Sequence, residues 1–431
     1  MAMLLRVSKR ASLSLPLINS ISKSQTMTLG GISLALTQAR RCMSSSMPIG
    51  LLRLAKEYQL GEAKDKNFVL SPCSIQLVIS LLANGAKGST ANELLKFLEA
   101  ENLLQVNSIV PKLVQTLTES TTGEPKISSL TGLWVDQSLR LNPKFKTDAE
   151  NNFKARAEYV DFQDKTNAKE AMYKVNEWAK KATNGLIKSV IPEGSFGFPT
   201  GLVVANALYF KGTWAKTFQK SFTKDYDFYL SDGNSVQVPF MRSRRDQFIE
   251  TSEDFKILRM PYKSTVSDVS MYIILPEDKN GLRPLLEKVS SDPLFLTKHL
   301  HKIPKEVKVG TFLIPKFKFN YNLEASDVLK TIGVTTSFTR VADFGDMVQG
   351  LNHGEWLQLS ELHHDCRIEV DEEGTVAAAR NVWMMNAGRA RQQPVPRVDF
   401  VADHPFMYMV RDDVTGMVLF MGHVVNPGLE N

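Results

Sequence analysis

Three cysteines in 431 residues, Cys42, Cys73 and Cys366, are too few for a disulfide framework, which fits a reducing compartment. There is no N-x-S/T acceptor, so nothing supports secretion. No apolar run approaches the roughly 20 residues that span a bilayer, and no membrane partner is expected. Catalytic motifs are equally scarce. No G-x-S-x-G elbow occurs, since "EGSFG" (193–197) carries Glu193 where the first glycine would stand. "NGAKGST" (84–90) lacks the order of a phosphate-binding loop; it reads as a helix break with a fresh N-cap at Ser89 or Thr90. In "HHDC" (363–366) neighbours on a strand alternate faces, so only His363 with Asp365, or His364 with Cys366, could share a side. No second cluster completes a metal site, so neither a metal nor any other cofactor is expected.

Acidic residues are missing from the whole stretch before Glu57, where Arg6, Lys9, Arg10, Lys23, Arg40 and Arg41 lie among many serines. That is transit-peptide composition, and "ARRCMSSS" (39–46) would suit cleavage. Residues 1–43 are therefore expected to be an organelle leader, mitochondrial or plastid, or else a disordered extension. A cytoplasmic or extracellular location is the alternative. Much of the net charge of +6 comes from this segment, so it does not argue for nucleic acid. "RSRR" (242–245) reads as a solvated turn.

Residues 44–431 show no linker, repeat or composition break, and read as one domain. "SIQLVISLLANGAKGSTANELLKFL" (74–98) has helical spacing interrupted at Gly85 and Gly88, and "NAKEAMYKVNEWAKKATNGLI" (167–187) is an amphipathic helix stopped at Asn184-Gly185. "GLVVANALYF" (201–210), "VSMYIILP" (269–276) and "VKVGTFLIPKFKFNY" (307–321) are β-rich, and "EASDVLKTIG" is helical. "FMYMVRDDVTGMVLFMGHVV" (406–425) patterns as a hairpin turning at Asp412 to Gly416. Helices first and strands later point to an α+β fold with antiparallel sheets. One stretch resists this reading. "DEEGTVAAARNVW" (371–383) lies between strand-like segments, has no apolar stripe to pack a helix, and has little to anchor it as far as Arg397. A long irregular connection inside a compact domain is usually functional or disordered.

Several stretches, in their order and spacing, resemble the serpin family, and within it the plant serpins. They are "FVLSPCSI" (68–75), "GAKGSTANEL" (85–94), "NEWAKKATNGLI" (176–187), "ANALYFKGTW" (205–214), "IPKFKF" (314–319) and "ADF" (342–344). "FVADHPFMYMV" (400–410) and "FMGHVVNP" (420–427) close the series. The resemblance implies the serpin fold: three β-sheets, one large and central, about eight or nine helices, and an exposed reactive-centre loop at about 372–397. It implies a monomeric inhibitor and no enzyme. In that family a target protease cuts the loop, which then inserts as a new central strand while the acyl-enzyme is trapped, and the same is expected here. The implied partners are trypsin-like or Arg-specific proteases, either serine enzymes or papain-like cysteine proteases and metacaspases. A non-inhibitory serpin, cleaved as a plain substrate or acting as a binding or storage protein, is the alternative.

Residue by residue, the resemblance makes Glu372, Glu373, Gly374, Thr375, Val376, Ala377, Ala378 and Ala379 the hinge. Its register turns Thr375, Ala377, Ala379, Asn381, Trp383 and Met385 inward. Trp383 is a departure, since a large side chain arriving late could slow insertion. Arg380 and Val376 also depart, but outward. The family's spacing, counted forward from Gly374, implies a scissile bond after Gly388, and plant-serpin spacing, counted back from "DFVADHPF", implies one after Arg389. Arg389–Ala390 is preferred because arginine suits a pocket holding a carboxylate, with Arg391 as a further option. Ser71, Ser74, Asn206 and His364 match the polar shutter under the sheet, and Lys211, Gly212 and Trp214 the place where the loop enters. Asp365 stands where the family often has lysine.

Overall fold

The computed structural model describes residues 47–118, 125–183, 185, 187–192, 200–264, 268–292, 294–300, 303, 305–350, 356–375 and 396–430. The expected leader, 1–43, lies outside the described residues. So do Val376, Ala377, Ala378, Ala379, Arg380, Asn381, Trp383, Met385, Gly388, Arg389, Ala390 and Arg391.

The described chain begins with α1 (Ile49–Leu60), β1 (Phe68–Leu70), α2 (Pro72–Gly85) and α3 (Gly88–Phe97). Then come α4 (Leu103–Thr118), the long β2 (Lys126–Asp136), β3 (Arg140–Leu141), α5 (Pro143–Asn152) and β4 (Ala155–Val160). Helix α6 (Lys165–Ala182) precedes β5 (Leu202–Thr213). A run of strands follows: β6 (Lys224–Tyr229), β7 (Ser235–Arg242), β8 (Phe248–Thr251), β9 (Phe255–Pro261) and β10 (Val269–Pro276). Next are α7 (Leu282–Ser291), α8 (Phe295–Leu300), β11 (Val309–Pro315), β12 (Phe317–Glu324) and α9 (Ser326–Thr331). The last elements are β13 (Val348–Gln349), β14 (Leu359–Val370), β15 (Gly374–Thr375), β16 (Val398–Val401), β17 (Phe406–Asp412) and β18 (Val418–Val424).

Local chemistry explains several boundaries. Ser71, Asn142 and Asp164 each cap a helix through a side-chain oxygen, and prolines stand at the first turn of α2 and α5. The expected cap at Ser89 or Thr90 is wrong. Helix α3 starts two or three residues earlier than that, at Gly88 behind Lys87, and the Thr90 hydroxyl instead accepts from the Asp343 amide at 2.9 Å. The β-rich stretch 307–321 is two strands in two sheets, parted at Lys316.

Three sheets and a small β3–β13 ladder account for the strands. One sheet has the order β1-β18-β17-β10-β9-β8 and a second β16-β11-β7-β6. The central sheet runs β12-β14-β5-β2-β4, with β15 added beside β5. Its middle pair, β5 and β14, is parallel, whereas β12 pairs β14 and β2 pairs β5 antiparallel. Both faces of β5 are covered. Leu202, Val204, Leu208 and Phe210 join the main core, while Val203, Ala205 and Ala207 pack with Met172, Val175 and Ala179 of α6. A strand buried on both faces loses the alternating pattern, which is why β5 reads as a continuous apolar run.

Candidate functional site

The start of the troublesome stretch is firmly held, against the expectation that it lacks anchors. Asp371 turns the chain: its Oδ1 accepts from the amides of Glu373 (2.9 Å) and Gly374 (3.1 Å), and its own amide donates to Gly374 O at 2.9 Å. Gly374 and Thr375 then pair antiparallel with Thr213 and Gly212 of β5. Trp214 donates its amide to Glu373 O (2.8 Å) and its indole N–H to Asp371 O (2.9 Å), and the Phe218 amide donates to Glu372 O (2.7 Å). Thr375 is fully buried, its hydroxyl 2.8 Å from the Tyr262 hydroxyl, and the Tyr262 ring stacks on Trp214 at 4.5 Å.

Glycine is required twice here. Gly374 has φ +154°, and a Cβ there would stand 1.9 Å from Gly212 O; one on Gly212 would stand 2.6 Å from the Tyr262 ring. Two carboxylates complete the anchor. Glu372 is buried, accepting from Thr223 (2.7 Å) and Lys316 (2.8 Å), and Glu373 pairs with Lys220 at 2.8 Å. Burial works against the Glu372 carboxylate, yet the Lys316 and Thr223 bonds outweigh it and hold it below the usual carboxylate range. Lys211 shares β5 but pairs across to Lys126. Of the three residues named for loop entry, Gly212 and Trp214 touch the hinge directly.

Beneath the middle of the sheet the structure brings the four polar residues together. His364 Nε2 accepts from the Ser71 amide at 3.0 Å, so its Nδ1 carries the proton and donates to Asn206 Oδ1 at 2.8 Å. Asn206 passes its own amide protons to Leu130 O and Thr131 Oγ1, both at 3.0 Å. The network thus ties β14 to β5, β5 to β2, and β14 to the start of α2. Ser74 joins through Ser71 alone, donating its amide to the Ser71 hydroxyl and its hydroxyl to Ser71 O. Burial pushes His364 down to about 3, so the ring is neutral.

Sequence reasoning missed Thr131, Tyr262, Asp371, Thr223, Lys316 and Lys220. Asp371 opens the 371–383 stretch itself and turns it locally, whereas the others lie outside the hinge and shutter residues and their roles depend on chain distant in sequence. The pairing of faces in "HHDC" holds. Cys366 Sγ is 3.1 Å from His364 Nε2, and both are in the core. On the opposite face His363 Nε2 bonds Glu361 at 2.6 Å, and Asp365 accepts from Asn322 at 3.3 Å. Burial raises Asp365 to about 7, and the Asn322 bond and Arg367 only partly oppose it. Among the described residues no three His, Cys, Asp or Glu are placed to hold a metal, and no helix is long and apolar enough to cross a membrane.

Residues 51–427 match the family model described as Serpin (serine protease inhibitor). Serpin-ZX of Arabidopsis thaliana is 42% identical over 380 residues, covering 87% of this chain and 96% of that protein. Serpin-Z1C of Triticum aestivum is 43% identical over 370 residues, covering 85% and 91%. Among solved structures, Arabidopsis AtSerpin1 in its native stressed conformation superposes with a TM-score of 0.82 at 41% identity, covering 90% of this chain and 98% of that one.

Proposed function

The chain belongs to the serpin family, and from that premise we propose that it traps serine-type endopeptidases as a suicide substrate. One observation carries the reading: the parallel ladder between β5 and β14, with β15 already begun antiparallel at its end. A strand continuing from Thr375 would replace one parallel ladder with two antiparallel ones, and antiparallel pairing is the more stable per residue.

The trapping step needs no catalytic residue from this chain. The protease nucleophile attacks the Arg389 carbonyl carbon, the peptide bond to Ala390 breaks, and Ala390 leaves as the amine. Arg389 then remains esterified to the protease, or thioesterified if the target is a papain-like cysteine protease or metacaspase. Insertion carries that ester away before water attacks it. Stepping two residues at a time from the Thr375–Gly212 pair sets Ala377 opposite Phe210 and Ala379 opposite Leu208. Asn381 then comes opposite Asn206 and beside His364, where its amide can take up bonds released as β5 and β14 part. In this reading the Ser71–His364–Asn206 network is the latch on the gap. Ser74 holds the cap beneath it.

Trypsin tests the proposal. Wild type should give an adduct that survives denaturation, with the new N-terminus at Ala390. Arg389→Ala should cut the trapping rate at least about 100-fold, because a pocket built for a charged partner rejects the group that lacks it. Quantitative loop cleavage with free, active trypsin would refute trapping. Trp383 favours that second outcome, a non-inhibitory serpin, because the same register sets it against Val204 and Leu362, both already buried.

A further inference from the structure

The basic stretch 242–245 is an organised surface at the loop. Strand β7 pairs Arg242 with Leu313 of β11, and β11 runs parallel to β16 from Val309–Val398 to Leu313–Val401. Ser243 to Arg245 continue toward the Val398 end, where the loop rejoins its sheet, and Gln247 bridges Val307 beyond them. Ser243 Oγ holds this turn, accepting from the Arg245 amide at 3.1 Å. The other end of the loop is tied to the same place. Lys220, which pairs with Glu373, belongs to the single turn Lys220–Phe222, and the Arg244 guanidinium lies 5.9 Å over the Phe222 ring.

Arg244 and Arg245 are exposed, and so is Phe222 at 41%. Arg242 lies over the Tyr226 ring at 5.9 Å. Lys316 and Lys220 are spent on Glu372 and Glu373, and Lys216 on Glu306. Among the described residues no ion pair neutralises Arg242, Arg244 or Arg245; Asp246 is adjacent in sequence, but it is its main-chain oxygen that bonds, to Lys216. An aromatic ring beneath a guanidinium orients it without cancelling its charge. A merely solvated turn needs no such support.

We propose that Arg242, Arg244 and Arg245 form a docking surface for an acidic patch on the protease that attacks the loop. Both described ends of the loop border this cluster, Glu373 through Lys220 and Phe222 and Val398 through β11, so a protease that reaches the loop comes within range of its charge. Opposite charge there speeds encounter rather than tightening the final adduct, and salt weakens it. The proposal rests on the inhibitor reading only in placing a protease at the loop.

Its test compares anionic and cationic trypsin, which share an Arg-specific pocket and differ in surface charge. Second-order rate constants for loop cleavage, with or without trapping, are normalised to a small arginyl substrate. Wild type should react about 10-fold faster with the anionic enzyme at low salt, and the ratio should approach one near 0.5 M salt. Arg244→Glu combined with Arg245→Glu should abolish or invert the preference. An unchanged ratio and salt slope in that variant overturn the docking surface while trapping stands. Cleavage without an adduct, with the charge effect intact, removes trapping and leaves the surface. A loop that neither trypsin cuts refutes both.

Discussion

At the scale of single residues, burial decides what the polar groups of β14 can do. His364 and Asp365 are neighbours, yet one is fully paired and neutral in the core, while the other, on the opposite face of β14, accepts a single amide bond from Asn322. The folded pKa of Asp365, about 7, lies above the usual carboxylate value of about 4. Its contribution to stability is therefore intact below pH about 4 and lost as pH rises through 7. Asp365→Asn keeps the shape and removes the charge. Relative to wild type it should gain on the order of 1–4 kcal/mol at pH 8 and almost nothing at pH 4. Urea midpoints across that range check this, and parallel profiles for the two proteins would refute it. His364 and His423, pushed down to about 3 and 4 by burial, act in the opposite sense and destabilise the fold as pH falls below about 6.5. Without Asp365 to offset them, acid should unfold the variant more steeply.

At the scale of elements, the decisive pieces are short. Strand β15 has two residues, but it sets the register for everything that would follow it. Small residues at 377 and 379 would meet Phe210 and Leu208 without overpacking. Trp383 would instead arrive between Val204 and Leu362, where excess volume costs about 1–3 kcal/mol. In the insertion barrier that is about a 5- to 150-fold slowing, enough to shift the partition from trapping to hydrolysis. Trp383→Ala should thus lower the number of molecules consumed per trypsin inhibited toward one; an unchanged stoichiometry would clear Trp383 of that role. The caps at Ser71, Asn142 and Asp164 are local and follow from residue type, as does the hairpin turn before Gly416. The misjudged cap of α3 shows the limit: Asp343, far along the chain, claims the Thr90 hydroxyl first.

At the scale of the whole molecule, β5 and β14 of the central sheet meet in a parallel ladder, the weaker kind, which on the proposed reading a strand formed by the cut loop would replace. Cleavage should let that strand in. With about ten new net hydrogen bonds of about 1 kcal/mol each, the melting temperature of loop-cut protein should rise on the order of 10–20 °C. Calorimetry before and after limited proteolysis measures this directly, and an unchanged melting temperature would argue against insertion.

Residue types alone determined the α+β class, most element positions and the odd character of residues 371–383, because periodicity and turn chemistry are local. The family pattern also led to Ser71, Asn206 and His364. What only the tertiary structure decided is where 371–375 is held and which neighbours hold it. Tyr262, Lys316, Thr223 and Lys220 are ordinary polar residues when read along the chain. They become an anchor only when β5, β9 and β12, strands of two different sheets, bring Trp214, Tyr262 and Lys316 up against residues 371–375. Hydrogen bonds and ion pairs form between neighbours in space, and sequence order does not carry that distance.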